Sequence, residues 1–468
     1  MKSINRTNIA IQKRPVKILQ FGEGNFLRGF VNWMVEEMNE KANFNGDVQI
    51  IQPLAQGLGK MLNDQDGLFH VKLQGIQNGK SIDQTKLITC VQGVNNPFED
   101  YQGYLDLGKN PDLKFIISNT TEAGIAFDGN DHGLEKISNT FPGKLTALLY
   151  TRFSHFDGAA DKGLVLIPCE LIDKNGEQLK AAILNYAKLW SLSAEFVAWI
   201  EKNCTFCNTL VDRIVPGFPK DTIKEIQQDL GFEDNLVVMA EPFHLWVIEG
   251  PEDLEEIFPG PKAGLQVKFV KDQSPYRTRK VRILNGAHTA LVPVAYLAGL
   301  RTVRESVEDP VIGQFIKDTI YNEIIPTLDL SEDELAQFAS DVLDRFRNPF
   351  IKHELSSIAL NSISKFKVRV LPSILEYKSR KGTWPKNLIK SFASLIQFYQ
   401  GESNGEKIPV QDDPAIMAFF TEQWSKSEIE TIVKNTLSRV DFWGEDLNGQ
   451  AGLADAIISS IEEKIAAN

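Results

Sequence analysis

Residues 16–29 read VKILQFGEGNFLRG, and this stretch predicts how the N-terminal part of the chain folds. Its first six residues form a short apolar run typical of a buried strand, and residues 30–41 have a helical pattern. Between them, Gly22 permits a tight turn and Gly24 lets the backbone approach a phosphate at a helix N-terminus. The segment predicts a dinucleotide site. Because Leu27 stands where a third glycine or alanine is usual, a plain glycine turn is the alternative.

Outward from this stretch, apolar runs at 48–51, 113–118 and 164–168 predict further buried strands, with helical stretches between several of them. Such alternation is typical of a parallel sheet covered by helices on both faces. After about residue 276, strand patterns almost disappear and helical patterns follow one another.

We therefore predict an α/β chain with a Rossmann-like doubly wound sheet followed by an all-helical C-terminal domain. The predicted domains are an NAD-binding domain at 1–276 and a substrate and catalytic domain at 277–468. The stretch 250–275 is rich in proline and glycine, and it is the predicted linker region.

Composition excludes several classes of function. The chain has 468 residues, with 50 Lys and Arg against 62 Asp and Glu, so its net charge is −12. This balance argues against a general binder of nucleic acid or anionic membranes, which needs a basic face. No run of 18 apolar residues and no signal-peptide pattern is present. Four cysteines are too few for a disulfide framework. We expect a cytoplasmic protein with a small-molecule partner; the sequence leaves its oligomeric state open.

The residues predict a dinucleotide cofactor, held mainly by backbone amides around the glycine turn, with Arg28 near the phosphates; the choice of NAD comes from the resemblance described below. A second loop, at 118–124, follows a predicted strand and therefore lies at the ligand-binding edge of the sheet; an ordinary helix-capping loop is the alternative. The second strand is followed by Gln52 and Pro53 rather than by an acidic residue, so the residues alone leave NAD and NADP open. The predicted cofactor-binding residues are Ile18, Leu19, Gln20, Phe21, Gly22, Glu23, Gly24, Asn25, Phe26, Leu27, Arg28, Gly29, Thr121 and Glu122.

Residues 280–288, KVRILNGAH, carry the polar residues best suited to catalysis. On an α-helix, Lys280 and His288 are about 80° apart and Lys280 and Asn285 about 140° apart, so all three can face one cleft. A lysine can exchange a proton with an alcohol, and Asn and His can hold the reacting oxygen. The alternative is a solvated lysine with a packing histidine. Gly286 inside an apolar helix needs a reason, such as close approach of a ligand or backbone.

No metal site is predicted. The histidines are scattered, Cys204 and Cys207 form a lone C-x-x-C pair, and zinc needs three or four ligands. A redox dithiol at this pair is the alternative, but it lacks a thioredoxin-like context.

Five segments together resemble the long-chain mannitol dehydrogenase family of polyol and sugar-acid oxidoreductases. They are GEGNFLRG at 22–29, TTEAG at 120–124, NTLVDRIVP at 208–216, AEPFHLWVIEG at 240–250, and Lys280 with Asn285, Gly286 and His288. The resemblance covers nearly the whole chain. It implies a metal-independent reaction with Lys280 as general acid/base, and with Asn285 and His288 orienting the substrate. A catalytically silent NAD-binding protein is the alternative from another class.

Within the family, the sequence motifs of this chain are more similar to those of enzymes of hexuronate breakdown than to those of mannitol dehydrogenases. Mannitol-type members carry Cys-Asp-Asn where this chain has Cys169-Glu170-Leu171, so the Asn that helps to hold the alkoxide is missing. The family also carries an Arg eight residues before a Lys. The corresponding residues here are Ser357 and Lys365, so only the Lys is retained. The resemblance implies NAD-dependent reduction of tagaturonate to altronate, with fructuronate reduction or polyol oxidation as alternatives. The substrate carboxylate then needs a local cation, for which we predict Lys365, Arg345 and Arg347.

Overall fold

The structure is a computed structural model that describes residues 1–11, 13–121, 123–131, 133–403 and 405–467. Contacts within the chain divide it into two units. Unit 1 comprises residues 1–74 and 82–273, and unit 2 comprises residues 75–81 and 274–468. The short segment 75–81 therefore belongs with the C-terminal part of the chain, although it lies near the N-terminus in sequence.

Unit 1 is built on a six-stranded sheet. Its strands, in chain order, are β1 (Val16–Phe21), β2 (Asp47–Ile51), β3 (Val91–Asn95), β4 (Phe115–Ser118), β5 (Val165–Pro168) and β6 (Thr205–Phe206). The spatial order is β3-β2-β1-β4-β5-β6, and every neighbouring pair is parallel. This order, which reverses direction at β1, is that of a doubly wound dinucleotide-binding sheet. The predicted fold class is confirmed.

The sheet is apolar on both faces because helices cover both of them. Along β1, Ile18 belongs to the core on one face, with Phe30 and Met34 of the following helix. Leu19 and Phe21 belong to the core on the other face, with the helix Phe141–His155. This explains why the strand reads as a continuous apolar run.

Other elements of unit 1 complete its layers. A helical stretch at 25–41 follows β1, and it consists of Asn25–Leu27, a π-helical turn Arg28–Asn32 and Trp33–Lys41. The remaining helices are Gly59–Asp64, Tyr101–Asp106, Phe141–His155, Asn175–Leu189, Ala194–Asn203, Ile223–Leu230 and Leu254–Ile257. The strands outside the main sheet are Lys2–Ser3, Phe69–Gln77, Lys80–Ile88, Asn208–Asp212, Phe232–Glu233, Val238–Ala240, Leu245–Glu249 and Val267–Val270.

The stretch 250–275 is not a linker over most of its length. Strand Val267–Val270 pairs in parallel with Leu245–Glu249, and Phe258 and Leu265 are buried in the core of unit 1. Its prolines and glycines occur at the turns between short elements, and this is the reason that composition alone suggested a linker.

Among its described residues, the regular structure of unit 2 is helical apart from two-residue strands at Glu402–Ser403 and Glu406–Lys407 and the hairpin tip at 75–81. A helical stretch at 274–297, which we name the central helix, begins it. The other helices are Val303–Glu308, Pro310–Asp318, Glu332–Phe346, Leu355–Ile358, Ser362–Arg369, Leu371–Lys381, Lys386–Phe398, Pro414–Lys426, Ile429–Leu437, Val440–Trp443 and Leu453–Ala467, with a π-helical turn at Thr319–Ile324. Within the described residues, no helix has the length and apolar character needed to cross a membrane.

Candidate active site

The glycine turn lies at the carboxyl edge of the main sheet. Gly22 has φ +122° and donates its N–H to the Ile51 carbonyl at 3.0 Å. A Cβ at Gly22 would stand 3.0 Å from the Asn119 carbonyl oxygen, so both conformation and space require glycine there. Gly24 differs, because no atom lies within 4 Å of the position its Cβ would take. The open space is therefore beside Gly24, at the start of the helical stretch.

The third glycine that is usual in a dinucleotide-binding turn is absent from its expected position, and another glycine lies nearby. Leu27 occupies its position in the sequence, and the Leu27 side chain is buried. Gly29 lies two residues later, in the π-helical turn, where its Cβ would be 3.0 Å from Val238 and 3.1 Å from Val215. The third glycine of this motif usually allows the helix to pack closely on its neighbours. In this chain Gly29 allows that close packing.

Arg28 is buried beneath the turn, with 1% of its surface exposed. Its guanidinium donates to the Glu23 carbonyl at 3.0 Å, to the Leu236 carbonyl at 2.6 Å and to Asn25 Oδ1 at 2.8 Å. Burial lowers the pKa of Arg28 to about 10, and Asp234 and Glu23 partly oppose this effect. The guanidinium is thus committed to protein oxygens that shape the turn, and its contact with phosphates stays a prediction.

The strand residues named as cofactor-binding candidates are interior. Ile18, Leu19, Gln20 and Phe21 are each at most 1% exposed. Gln20 donates to the Gly22 carbonyl at 2.9 Å and accepts from Asn32 at 2.7 Å, so this buried amide ties the turn to the helix. These four residues hold the turn from within the sheet.

The remaining members of the turn have local contacts. Phe26 stacks on Phe30 with ring centroids 4.9 Å apart. Glu23 accepts from the Leu58 N–H at 3.3 Å, and burial raises its pKa. No side chain caps the helix start at Gly24, so the first-turn N–H groups are available to an anion.

A second loop leaves the sheet at the end of β4, beside the glycine turn. The Glu170 carboxylate, which is 2% exposed, accepts from Ser118 Oγ and from the Thr120 N–H and Oγ1, each at 3.0 Å. Burial raises the pKa of Glu170 despite these hydrogen bonds. Thr121 follows with φ +81°, which is a strained conformation for a β-branched residue. Glu122 lies outside the described residues.

Two further positions at this edge depart from common patterns. Gln52, after β2, donates to the Leu54 and Ala55 carbonyls at 2.8 and 3.1 Å and accepts from the Gly59 N–H. It therefore closes its own loop where an acidic residue usually meets a ribose. Leu171, where mannitol-type relatives carry an Asn, is 63% exposed.

In unit 2, the central helix changes its winding at the residues predicted to be catalytic. Lys280–Asn285 forms a π-helical turn, and the Gly286 N–H bonds to the Val281 carbonyl five residues back. The angle of about 140° between Lys280 and Asn285, predicted for an α-helix, is therefore wrong. A π turn brings residues five apart onto nearly the same face. His288 then follows Asn285 at α-helical spacing, one turn on. The backbone places all three residues along one side of the helix, and Lys280 and Asn285 are half-buried.

His288 is a neutral histidine in a cationic surrounding. Its ring stacks on Phe346 at 4.0 Å and meets the His353 ring edge-on at 5.1 Å. Burial, His353, Arg345 and Arg369 all lower its pKa well below the ordinary value. Within the described part of the chain, buried Nε2 of His288 has no hydrogen-bond partner. An unpaired nitrogen of this kind is costly unless a ligand meets it.

The predicted carboxylate-binding cations have different surroundings. Arg345 is 8% exposed and lies near His288. Arg347 is nearer an acid, since its Nη1 lies 3.6 Å from Asp344. Lys365 donates to the Ile358 carbonyl at 2.8 Å, and burial together with Arg369 lowers its pKa.

Gly286 has a clear packing role. A Cβ at this position would stand 2.9 Å from the carbonyl oxygen of Arg369, at the end of the helix Ser362–Arg369. The glycine therefore lets that helix approach the central helix closely. Backbone approach, one of the two reasons considered for this glycine, is the one that the structure supports.

Cysteine and metal chemistry gain no support. The four cysteines are buried and unpaired, and burial raises the pKa of Cys204 to about 11 and of Cys207 to about 12. Thiols of this kind are poor nucleophiles. Among the described residues, no three or more His, Cys, Asp or Glu side chains are grouped so that they could hold a metal ion.

Sequence reasoning missed two residues of these sites. Glu170 was noted only as a departure from a family motif, and nothing in its spacing indicates that it holds the loop after β4. Arg369 was not among the cations predicted to bind the carboxylate, yet it lies near His288 and four residues after Lys365. That spacing, which places both on one helix face, was the available signal.

A Rossmann-type sheet with open space beside Gly24 of its glycine turn, joined in one chain to a helical unit that carries Lys, Asn and His on one helix, is typical of a dehydrogenase. Residues 16–256 match the mannitol dehydrogenase Rossmann domain, and residues 272–465 match the mannitol dehydrogenase C-terminal domain. The chain belongs to the mannitol dehydrogenase family and is an oxidoreductase acting on CH–OH groups.

Similar proteins agree with this assignment. The altronate oxidoreductase of Bacillus subtilis (strain 168) is 49% identical over 95% of this chain and 91% of its own length. That of Bacteroides thetaiotaomicron is 45% identical over 99% of this chain and 98% of its own. A substrate-free D-sorbitol dehydrogenase structure, 22% identical, has a TM-score of 0.79 and covers 99% of this chain and 98% of its own. Mannitol 2-dehydrogenase of Pseudomonas fluorescens with NAD and D-mannitol, 21% identical, has a TM-score of 0.63 and covers 99% and 96%. The two structures support the fold.

Proposed function

We propose that this chain catalyses the NAD-dependent, reversible reduction of tagaturonate to altronate in hexuronate breakdown. The observation that carries the proposal is the grouping of Lys280, Asn285 and His288 on one side of the central helix, in a chain 49% identical to an altronate oxidoreductase. Reduction of fructuronate, whose product is mannonate, is the second candidate, because a carboxylate-binding cluster of cations would serve both keto acids.

The cofactor would be held by unit 1. The first-turn N–H groups after Gly24 and the open space beside that glycine suit a pyrophosphate. Thr121, in the loop held by Glu170, would lie on the nicotinamide side. When bound, NADH supplies the hydride that adds to the ketone carbon. Because Gln52 provides no carboxylate for a ribose hydroxyl, the preference for NAD over NADP that we propose rests on the family resemblance.

Lys280 would complete the reaction with a proton. As an ammonium it donates to the oxygen that becomes the alcohol, and in the reverse direction the neutral amine removes that proton. Asn285 would donate its amide N–H to the same oxygen, and His288 would use its unpartnered Nε2 on a neighbouring hydroxyl. A neutral ring with an unprotonated Nε2 would accept a hydrogen bond; the alternative tautomer would donate one.

The test is a rate comparison with NADH as reductant and three ketones: tagaturonate, fructuronate and fructose. We expect the largest kcat/KM with tagaturonate, a smaller value with fructuronate, and the smallest with neutral fructose. Repeating the series with NADPH tests the cofactor. Faster reduction of fructuronate would favour the second candidate, and preference for fructose would return the chain to polyol chemistry.

A further inference from the structure

Four basic residues of unit 2 are candidates to bind the substrate carboxylate, and they differ in the protein groups that they already contact. Arg347 has Asp344 3.6 Å away. Lys365 Nζ donates to the Ile358 carbonyl at 2.8 Å, and Asp412 acts on the same lysine. Arg345 takes part in further contacts and lies near Asp341. Arg369 remains, although Lys365, Arg345 and Arg347 were the cations predicted from the sequence.

Arg369 is half-buried, and its one hydrogen bond among the described residues is weak. Its Nη1 lies 3.4 Å from Thr289 Oγ1, the residue that follows His288. Within the described part of the chain, no carboxylate lies within ion-pair distance of its guanidinium, and burial alone lowers its pKa. Partial burial of a cation without an acid is unfavourable, so the guanidinium is set to receive an anion.

The backbone fixes where this guanidinium can act. The close approach of the Arg369 carbonyl to Gly286 anchors the end of the helix Ser362–Arg369 against the central helix. The anchored residue is therefore held beside Thr289 and His288, one helical turn past Asn285. A planar guanidinium with parallel N–H groups matches a carboxylate in a bidentate pair, which an ammonium cannot form.

We propose that Arg369, rather than Lys365 or Arg347, is the specificity-determining residue that binds the substrate carboxylate. The inference rests on the proposed function in that it assumes a keto-acid substrate. By this proposal, Gly286 also sets the distance between the Arg369 guanidinium and the polar groups of the central helix.

The test compares Arg369→Met with the wild type on tagaturonate and on tagatose, which carries CH₂OH in place of the carboxylate. We expect kcat/KM for tagaturonate to fall about 10- to 150-fold, the value of a hydrogen bond to a charged group. The rate on tagatose should change little. Arg369→Lys should recover part of the loss, because it keeps the charge without the bidentate geometry.

Lys367→Met is the matched control. It removes one positive charge from the same helix, but residues two apart do not face the same side, and Lys367 Nζ lies instead near Gly444. It should keep the preference for tagaturonate. Because NADH is proposed to bind unit 1, calorimetric melting of each variant reports whether the fold of unit 2 is intact.

Equal losses on both ketoses, or an unchanged preference in Arg369→Met, would overturn the assignment. If wild-type enzyme reduces fructuronate rather than tagaturonate, the proposed function fails; Arg369 is then tested with fructuronate and fructose. If Arg369→Met binds NADH normally and keeps full selectivity for either keto acid, the carboxylate is bound elsewhere.

Discussion

The glycine turn of unit 1 and the central helix of unit 2 have similar backbones. They differ in whether their buried polar side chains have partners within the protein. Each contains a π-helical turn and a glycine that permits close packing, Gly29 in the first and Gly286 in the second. In the first, the buried side chains of Arg28, Gln20 and Asn32 bond to protein atoms. In the second, a buried nitrogen of His288 has no partner within the described residues.

We expect this difference to reflect how each segment binds its ligand. When buried side chains are satisfied by the protein, what remains to bind a ligand is the backbone, which suits a cofactor held by its phosphates. When side-chain groups are left unsatisfied, the side chains themselves are available for a substrate. The glycine turn should therefore be sensitive to what blocks its backbone, and the central helix to the loss of its side chains.

The largest effect is expected at Lys280. Replacing it with Ala removes the proton donor for reduction and the acceptor for oxidation, so turnover should fall roughly 10²–10⁴-fold. Turnover measured in both directions tests this. Lys280→Ala with a near-normal rate would remove Lys280 from the mechanism.

The two glycines of the first segment give the next effect. At Gly24 a side chain has open space, so Gly24→Val should leave the thermal stability nearly unchanged while NADH affinity falls about 10- to 150-fold through lost bonds to phosphate. At Gly29 the side chains of Val215 and Val238 are in the way, so Gly29→Ala should lower the free energy of unfolding by about 1–3 kcal/mol.

Calorimetric melting and NADH titration of both variants separate the two roles. If Gly24→Val binds NADH as tightly as the wild type, the pyrophosphate does not lie at this turn. If Gly29→Ala melts normally, the helix can move away from its neighbours and the packing argument fails.

Much of the fold followed from the sequence because the apolar runs of a two-sided parallel sheet are continuous and easily recognised. β1, β2, β4 and β5 were predicted within two residues at each end. The π turn at Lys280–Asn285 was not predictable, because a pattern of apolar residues does not distinguish hydrogen bonds to the fifth residue from those to the fourth. The hairpin tip at 75–81 could not be assigned to unit 2 either, because the assignment depends on long-range contacts such as the bond from the Gly79 N–H to Asp344.

Site chemistry was predictable in part for a similar reason. Lys280, Asn285 and His288 lie within one helix, so their spacing is local information. The partners of Glu170 are some 50 residues away in sequence, and which cation lacks an acidic partner depends on packing of helices far apart in the chain. From the sequence we chose Lys365, Arg345 and Arg347 as candidate cations, and nothing local distinguished Arg369 from them.

A pair of buried histidines tests the same contrast by stability. In unit 1, His244 Nδ1 lies 3.1 Å from the Pro242 carbonyl, and its Nε2 accepts from the Gln266 N–H at 3.1 Å. His244→Leu leaves both partners unsatisfied and should cost about 1–3 kcal/mol at neutral pH. His288→Leu removes an unpartnered nitrogen, which offsets the lost ring stacking of about 0.5–1.5 kcal/mol, so stability should change by less than about 1 kcal/mol while activity falls. A large loss of stability in His288→Leu would mean that the fold already uses its Nε2.

Acid should lower the stability of both units through these histidines. Burial lowers the pKa of His244 to about 3 and that of His288 well below its ordinary value, while an unfolded histidine titrates near pH 6.5. Below about pH 6.5 the unfolded chain therefore binds protons that the folded chain refuses, and each histidine should lower the free energy of unfolding by about 1.4 kcal/mol per pH unit. Buried Glu170 and Glu323, whose pKa values are raised, act in the opposite direction because their folded forms take up protons more readily.

The contribution of each histidine is thus best measured as a difference between variants. Urea unfolding from pH 7 to pH 5 should show a shallower decline in His244→Leu and in His288→Leu than in the wild type. Parallel curves for all three proteins would mean that neither histidine is held neutral by the fold.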